Sequence, residues 1–357
     1  MIYESNNKPE MVCLNDVYCV AFKDDKMQKK YASGIYTSRG ELVQGTTKRR
    51  YGKKETDYII SPILLPKYMV NTKKKIEERI VYIGYLRSHY GHFIVDDLAR
   101  LWWCLEQNKY KDLKVGYILD GGVERLPEYY IQCFEVLGID TDRLLRLDEV
   151  TALKSVLIPE KSYSPGNKIY QCYFDTFEYI SKQINSTHAS RGRYEKIYLS
   201  RSGMMEKNDY GEKTMDQLAR GNGFEVLHPE QMSFIDQVIT YSNAKLFVSP
   251  NGTLAHNILW AGRECHQVIL NRFSEENMHQ EVFKIRQKVE PIQLNCYFKG
   301  SQRGLSCFKI CPELKDVFSK YTYSKTEYIK YVVVFKLKLL KRLFAIVQGD
   351  SKYAKTN

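Results

Sequence analysis

At 357 residues, with 43% hydrophobic and 27% charged residues, the chain is globular and too long for one small core, so two domains are expected. Its formal net charge is +12, and residues 325–357 carry +6 of it, with eight Lys/Arg against two Asp/Glu. The body is therefore only mildly basic, which excludes a nucleic-acid coat and points to a local basic device in the C-terminal stretch.

The nine cysteines are an odd number with no CxxC pair, as in a reducing compartment. Cys307 and Cys311 lack nearby partners for a zinc site, and no metal is expected. Met1 to Met11 is polar and lacks the apolar core of a signal peptide. No stretch approaches the ~18 uncharged apolar residues that span a bilayer. These features predict a cytoplasmic protein, attached if at all to the inner face of the cell membrane.

Residues 1 to about 80 read as a β-rich entry. Val17–Phe22 and Asp57–Leu65 are strand-like, and residues 34–43 read as a hairpin turning at Arg39-Gly40. A strand at Ile80–Ile83 leads into Ser88-His89-Tyr90-Gly91-His92-Phe93-Ile94-Val95-Asp96-Asp97-Leu98-Ala99-Arg100-Leu101. In a helix from His92, residues 92, 96 and 100 share one face. An imidazole and a carboxylate one turn apart have the layout of a general base, but spacing alone favours capping groups beside a surface Arg.

Strands at Val115–Asp120 and Lys154–Ile158, with a helix over Pro127–Leu137 between them, give the rhythm of an α/β domain. A long helix over Ile169–Ile184 leads to a polar linker, Asn185–Arg193. The strand Lys196–Leu199 then ends in Ser200-Arg201-Ser202-Gly203, with Lys207 close behind. A helix over Met215–Arg220 follows, then a strand at Phe224–Leu227, a helix at Phe234–Tyr241, a strand at Leu246–Val248, a helix at Thr253–Trp260 and a strand at Gln267–Leu270. Strands spaced by single helices make a parallel sheet. The turn Ser249-Pro250-Asn251-Gly252-Thr253 lies at a strand's C-terminal end and opens a helix, a position that favours a phosphate. Arg201 would emerge on the same edge, its fork matched to phosphate oxygens. Beyond it, a helix over Glu275–Val289 and a strand over Pro291–Phe298 are expected.

The C-terminal stretch reads as a basic amphipathic helix. On a wheel from Lys330, Lys330, Lys338, Lys341 and Arg342 share one third, Lys336 intrudes, and Val332, Phe335, Leu337, Leu339 and Leu340 belong to the apolar remainder. That profile suits an anionic membrane surface met through residues 325–348, or a helix packed on the body with its lysines outside.

Three stretches together resemble the family-61 glycosyltransferases, known also as capsular-polysaccharide biosynthesis proteins. They are Tyr90-Gly91-His92-Phe93 through Arg100-Leu101; Tyr198-Leu199-Ser200-Arg201 with Lys207 and Glu212; and Pro229-Glu230-Gln231-Met232-Ser233-Phe234-Ile235-Asp236-Gln237 followed by Gly252-Thr253-Leu254-Ala255-His256-Asn257. The resemblance covers about residues 80 to 271. It implies a GT-B-like architecture of two Rossmann-like, doubly wound domains facing a cleft, with a β-rich N-terminal entry and a basic C-terminal helix. Residues 1–187 would form the acceptor side, 188–320 the nucleotide-sugar side and 321–357 the helix. It also implies an inverting transfer from a nucleotide sugar, with UDP the expected nucleotide and no further cofactor, to a glycan or lipid-linked glycan acceptor.

On that reading His92 or Asp96 is the base. Ser200, Arg201, Lys207, Glu230, Ser233, Gly252, Thr253, His256 and Asn257 bind the donor, and Arg100 and Gln237 line the cleft. The sequence departs from the family pattern at His89, where Asn is common, at Gly211, where an Asn precedes Glu212, and at Asn251, where many members carry His. The last two departures keep a second reading open, a catalytically degenerate glycan- or nucleotide-binding subunit.

Overall fold

The computed structural model describes residues 2–21, 33–47, 72–119, 123–188, 192–204, 210–274, 279–298, 308–309, 312–319, 329–330 and 332–340. The strand expected at Asp57–Leu65, Lys207, Cys307, Cys311 and the helix expected beyond Leu340 lie outside them. The chain divides into two compact units, Met1–Thr187 and His188–Asn357.

The first unit contains β1 (Ile2–Glu4), β2 (Met11–Val20), β3 (Gly34–Tyr36), β4 (Lys75–Leu86), β5 (Lys114–Leu119), β6 (Leu144–Arg146), β7 (Thr151–Pro159), β8 (Tyr163–Ser164) and β9 (Lys168–Tyr170). Six of these form one sheet in the order β3-β2-β7-β4-β5-β6. Its centre is parallel, with β4 between β7 and β5. The second half of β4, Ile80–Leu86, is buried throughout, as its unbroken apolar run requires of a strand covered on both faces. Of the entry strands, β2 and β3 join this sheet, while β1 belongs to a small three-stranded sheet with β9 and β8. β2 pairs antiparallel along β7 from Met11↔Pro159 to Cys19↔Thr151, covering what would otherwise be an open sheet edge. The hairpin turns at Gly40 (φ 83°) and is closed by the Tyr36↔Leu42 bridge.

Helices α1 (Glu128–Val136) and α2 (Gln171–Thr187) complete this unit. α2 buries Phe174, Phe177, Ile180 and Ile184 along one face. It runs on through Thr187, so the first three residues of the expected linker are its last turn. At its other end Ile169 is taken by β9, which pairs with β1.

The second unit is simpler. β10 (Lys196–Leu199), β11 (Glu225–Leu227), β12 (Leu246–Pro250), β13 (His266–Asn271) and β14 (Ile292–Asn295) are all parallel, in the order β11-β10-β12-β13-β14. The connecting helices include α3 (Glu212–Gly221), α4 (Phe234–Ser242) and α5 (Gln280–Arg286). Numbered along the chain this is a 2-1-3-4-5 doubly wound sheet, whose switch point lies between β10 and β12. One face packs Tyr198, Val248 and Val268 against Met215 and Ala219 of α3 and against Phe335 from the C-terminal stretch. On α4, Tyr241 meets Phe247 of β12, and Phe234 meets Trp260.

Candidate active site

In the first unit the site grows from the C-terminal edge of the central strands. β4 ends at Leu86, and Arg87 and Ser88 lead into the turn. His89 caps the turn, its Nδ1 accepting from Gly91 N–H at 3.2 Å. A single α-turn, Tyr90–His92, widens into a π-turn over Phe93–Asp97, where Leu98 N–H reaches back to the Phe93 carbonyl. The chain then tightens to 3-10 geometry over Leu98–Arg100. π-turns recur at functional sites because they re-aim side chains without ending the helix.

Asp96 is the hub. Its Oδ2 lies 3.0 Å from His92 Nδ1 and accepts from Arg87 Nη1 at 3.0 Å, while Lys161 Nζ stands 3.8 Å from Oδ1. Burial by itself would raise this carboxyl, but Lys161, His92 and Arg87 together outweigh it and hold Asp96 well below the ordinary carboxylate range. Asp96 is thus a locked anion, and its side chain is only 2% exposed. His92 Nδ1 faces both the Asp96 carboxylate and the Arg87 guanidinium, and with the ring proton on Nδ1 toward Asp96 the basic nitrogen would be Nε2. The His92 side chain is 26% exposed. Arg87 Nη1 is 2.7 Å from His92 Nδ1 and directs its proton to the shared carboxylate.

Neighbouring Asp97 behaves oppositely. Burial pushes its carboxyl up to about 6, Arg87 pulls against that, and the charge on Asp96 adds to it. Tyr130 hydroxyl lies between the Asp97 carboxyl and the main chain of Arg87, which ties the strand end to α1.

The folded state therefore holds one more proton than the unfolded chain between the ordinary value of 3.8 and about 6. Stability falls as pH rises through that window, by up to about 3 kcal/mol. Asp97→Asn is expected to gain on the wild type between pH 4 and pH 7 when both are unfolded in urea. A difference independent of pH would remove Asp97 from this role.

In the second unit the sheet order brings two loops together. β10 and β12 are neighbours, with Tyr198 beside Val248, so Ser200-Arg201 and Asn251-Gly252-Thr253 leave the sheet side by side at the switch point. Ser200 is buried, its Oγ accepting from Ser202 N–H at 3.0 Å, and Ser202 Oγ donates to Asp216 at 2.6 Å. Gly203 closes against the next turn, where an added Cβ would meet Glu230 Oε1 at 2.5 Å and Gln231 Nε2 at 3.1 Å. Gly252 adopts φ 115° and ψ −150°, a region essentially reserved for glycine. The helix that follows is a single turn, Thr253–His256, continued in 3-10 form over Asn257–Trp260, so its dipole is far smaller than the helix expected there would supply.

The structure joins His92 to Asp96 and brings the Ser200-Arg201 loop next to the Asn251-Gly252-Thr253 loop. Several other expected site residues are bonded or buried within their own unit. Arg100 does not continue the His92–Asp96 stripe, because the π- and 3-10 turns re-aim it. Its guanidinium donates to the carbonyls of Pro159 and Gly45, although it still lines a small polar pocket with Arg87, Asp96, Asp97 and Lys161. Gln237 is buried and donates to the carbonyls of Pro229 and Met232, holding the turn before α4. Ser233 caps α4, accepting from Asp236 N–H at 3.1 Å. His256 is buried, edge-on to His279 and close to Phe283, and Asn257 is 1% exposed. Gln237 and Ser233 thus hold the turn before α4.

Gly211 has a physical explanation: it sits at φ 98° before α3, and Asn is the other residue that tolerates such a conformation. Sequence reading overlooked Arg87, Lys161, Asp97 and Tyr130. The signal available for the first two was the one used for Arg201, a cation just past a strand's end.

A family model described as Glycosyltransferase 61 matches residues 90–269, just over half of the chain, a span that holds the His92–Asp96 pair and both switch-point loops. The chain is a glycosyltransferase. Within that class, it belongs to glycosyltransferase family 61. No curated protein matches it by sequence. Among solved structures it is similar to a family 9 glycosyl transferase from Veillonella parvula, at 12% identity over 75% of this chain and 100% of that one, TM-score 0.27. It is also similar to the dodecameric iron-containing heptosyltransferase TibC, at 11% identity over 95% and 96%, TM-score 0.31. At those scores the family assignment rests on the sequence match alone.

Proposed function

We infer that the protein is an inverting, GT-B-type enzyme that moves a sugar from a nucleotide sugar, UDP-linked, to a glycan or lipid-linked glycan acceptor in cell-surface or capsular polysaccharide synthesis at the cytoplasmic face of the membrane. The observation that carries this reading is the His92–Asp96 dyad. Asp96 is already locked to three cationic or imidazole groups and is a poor proton acceptor, so His92 is the base. As the acceptor oxygen attacks the anomeric carbon, its proton passes to His92 Nε2 and the bond from the sugar to the diphosphate breaks. Asp96 holds the ring and stabilises the imidazolium that forms. Arg87 and Lys161 position Asp96.

The leaving diphosphate gains negative charge and needs donors. Arg201 and the main-chain N–H groups around Gly252-Thr253 would supply them at the switch point, where doubly wound sheets bind ligands. Ser249 Oγ, Asn251 Oδ1 and both amide atoms of Asn257 are buried with no hydrogen-bond partner among the described residues. Buried polar groups are ordinarily paired, so this cluster supports a polar ligand at the turn.

A thermal-shift screen against UDP-, GDP-, CMP- and dTDP-sugars tests the donor, because a ligand that binds only the native state raises the midpoint. With the donor in hand, Arg201→Ala is expected to weaken nucleotide binding by about tenfold or more in calorimetry. Unchanged affinity would remove Arg201 from the site. Donor binding without turnover or hydrolysis would favour the degenerate binding subunit.

A further inference from the structure

The C-terminal stretch neither buries its whole apolar side nor turns only lysines to solvent. Residues 329–330 and 332–340 are helical. One side packs on the second unit: Phe335 is buried and stacks on Phe298 at 5.1 Å and 22°, with Val332 and Leu339 against the same cluster. Lys338 also faces the body, its Nζ 5.9 Å from the centre of the Tyr210 ring. The other side is apolar and open. Ile329, Val333, Leu337 and Leu340 are 61%, 50%, 53% and 53% exposed, half of the large exposed hydrophobics among the described residues.

At 3.6 residues per turn, Lys336, Ile329, Leu340, Val333, Leu337 and Lys330 follow one another around the helix within an arc of about 120°. The stripe is thus a run of branched aliphatic side chains with an exposed lysine on each flank. Among the described residues no helix is long and apolar enough to cross a membrane.

We propose that this outer stripe is a docking face for an anionic lipid bilayer, used while the inner face stays packed on the protein. Two features select lipid as the occupant. The flanking lysines belong to a stretch of net charge +6, complementary to acidic headgroups. The aliphatic side chains between them are of the kind an interfacial helix sinks below the headgroups. Because Phe335 remains anchored, docking needs no detachment of the helix and fixes the second unit against the surface. The inference stands apart from sugar transfer, since vesicle binding reads it with neither donor nor acceptor present.

The full chain is expected to co-sediment with phosphatidylcholine vesicles containing phosphatidylglycerol and to stay in the supernatant with phosphatidylcholine alone. Val333→Ser/Leu337→Ser and Lys330→Glu/Lys336→Glu should each weaken that partition about tenfold or more. Their thermal midpoints should match the wild type, because all four positions are exposed. Equal binding to neutral vesicles, or wild-type partition by the serine pair, overturns the proposal. So does a wild-type dimer in sedimentation velocity that the serine pair converts to monomer while lipid binding is retained, which would make the stripe a contact between copies of this chain.

Discussion

His92→Ala is expected to lower kcat for sugar transfer by roughly 10²–10⁴-fold, with the donor's binding affinity nearly unchanged. The loss follows from the position of His92 as the only nitrogen base in a pair whose carboxylate is already committed. Asp96 accepts from Arg87, faces Lys161 and holds His92 Nδ1, so it cannot take over as base when the imidazole is gone. Steady-state rates at saturating donor, compared with calorimetric donor affinity, separate this chemical defect from a binding one. Full transfer activity in both His92→Ala and Asp96→Ala would show that the proton leaves by another route.

Asp96→Ala is expected to damage stability as well as rate. Arg87 and Asp96 side chains are 5% and 2% exposed. Removing the anion leaves a buried guanidinium, and the Lys161 ammonium behind it, without their common counter-charge. Breaking a buried pair in this way costs about 3–5 kcal/mol. The sign with pH is fixed by the direction of the Asp96 shift. A carboxyl held below its ordinary value of 3.8 contributes stability above that pH and loses it as pH falls below. The wild-type advantage over Asp96→Ala should therefore be full at pH 7 and shrink in strong acid, measured by urea unfolding. A variant as stable as wild type at pH 7 would mean that Arg87 and Lys161 do not depend on Asp96. Asp96→Asn keeps the shape and isolates the charge.

These two predictions rest on different depths of legibility. The His92–Asp96 spacing was visible in the chain, because four residues apart is one turn in α- or π-geometry alike. Arg100 lines the same small pocket as Asp96, but its bonds to the carbonyls of Pro159 and Gly45 join segments far apart in the chain. Lys161 lies 65 residues beyond Asp96. It reaches the site only because β4 and β7 pair in parallel, with Val81 beside Leu157, so both strands end on the same edge. No local pattern carries that information.

In the second unit the alternation of strand and helix specified a parallel sheet, and punctuation by Gly252 and Gly203 marked the loops. Strand order did the rest. Neighbours in sequence, β10 and β11, could equally have put Ser200-Arg201 at a distance from Gly252. The 2-1-3-4-5 order inserts β10 between β11 and β12 and makes the two loops adjacent.

Periodicity and motif order were enough for the family, the α/β class and the identity of the dyad, because those depend on side chains a few residues apart. The three-dimensional fold alone decided which groups are ionised and which residues are scaffolding. Burial sets the proton affinities of Asp96 and Asp97 apart, and only packing reveals that Gln237 and Ser233 are bonded within the turn before α4 and that His256 lies against His279 and Phe283. It also turned the C-terminal helix from a choice between two faces into a helix with an anchored side and an open one. Solvation and long-range pairing are properties of the assembled chain, and neither is encoded in any single stretch of it.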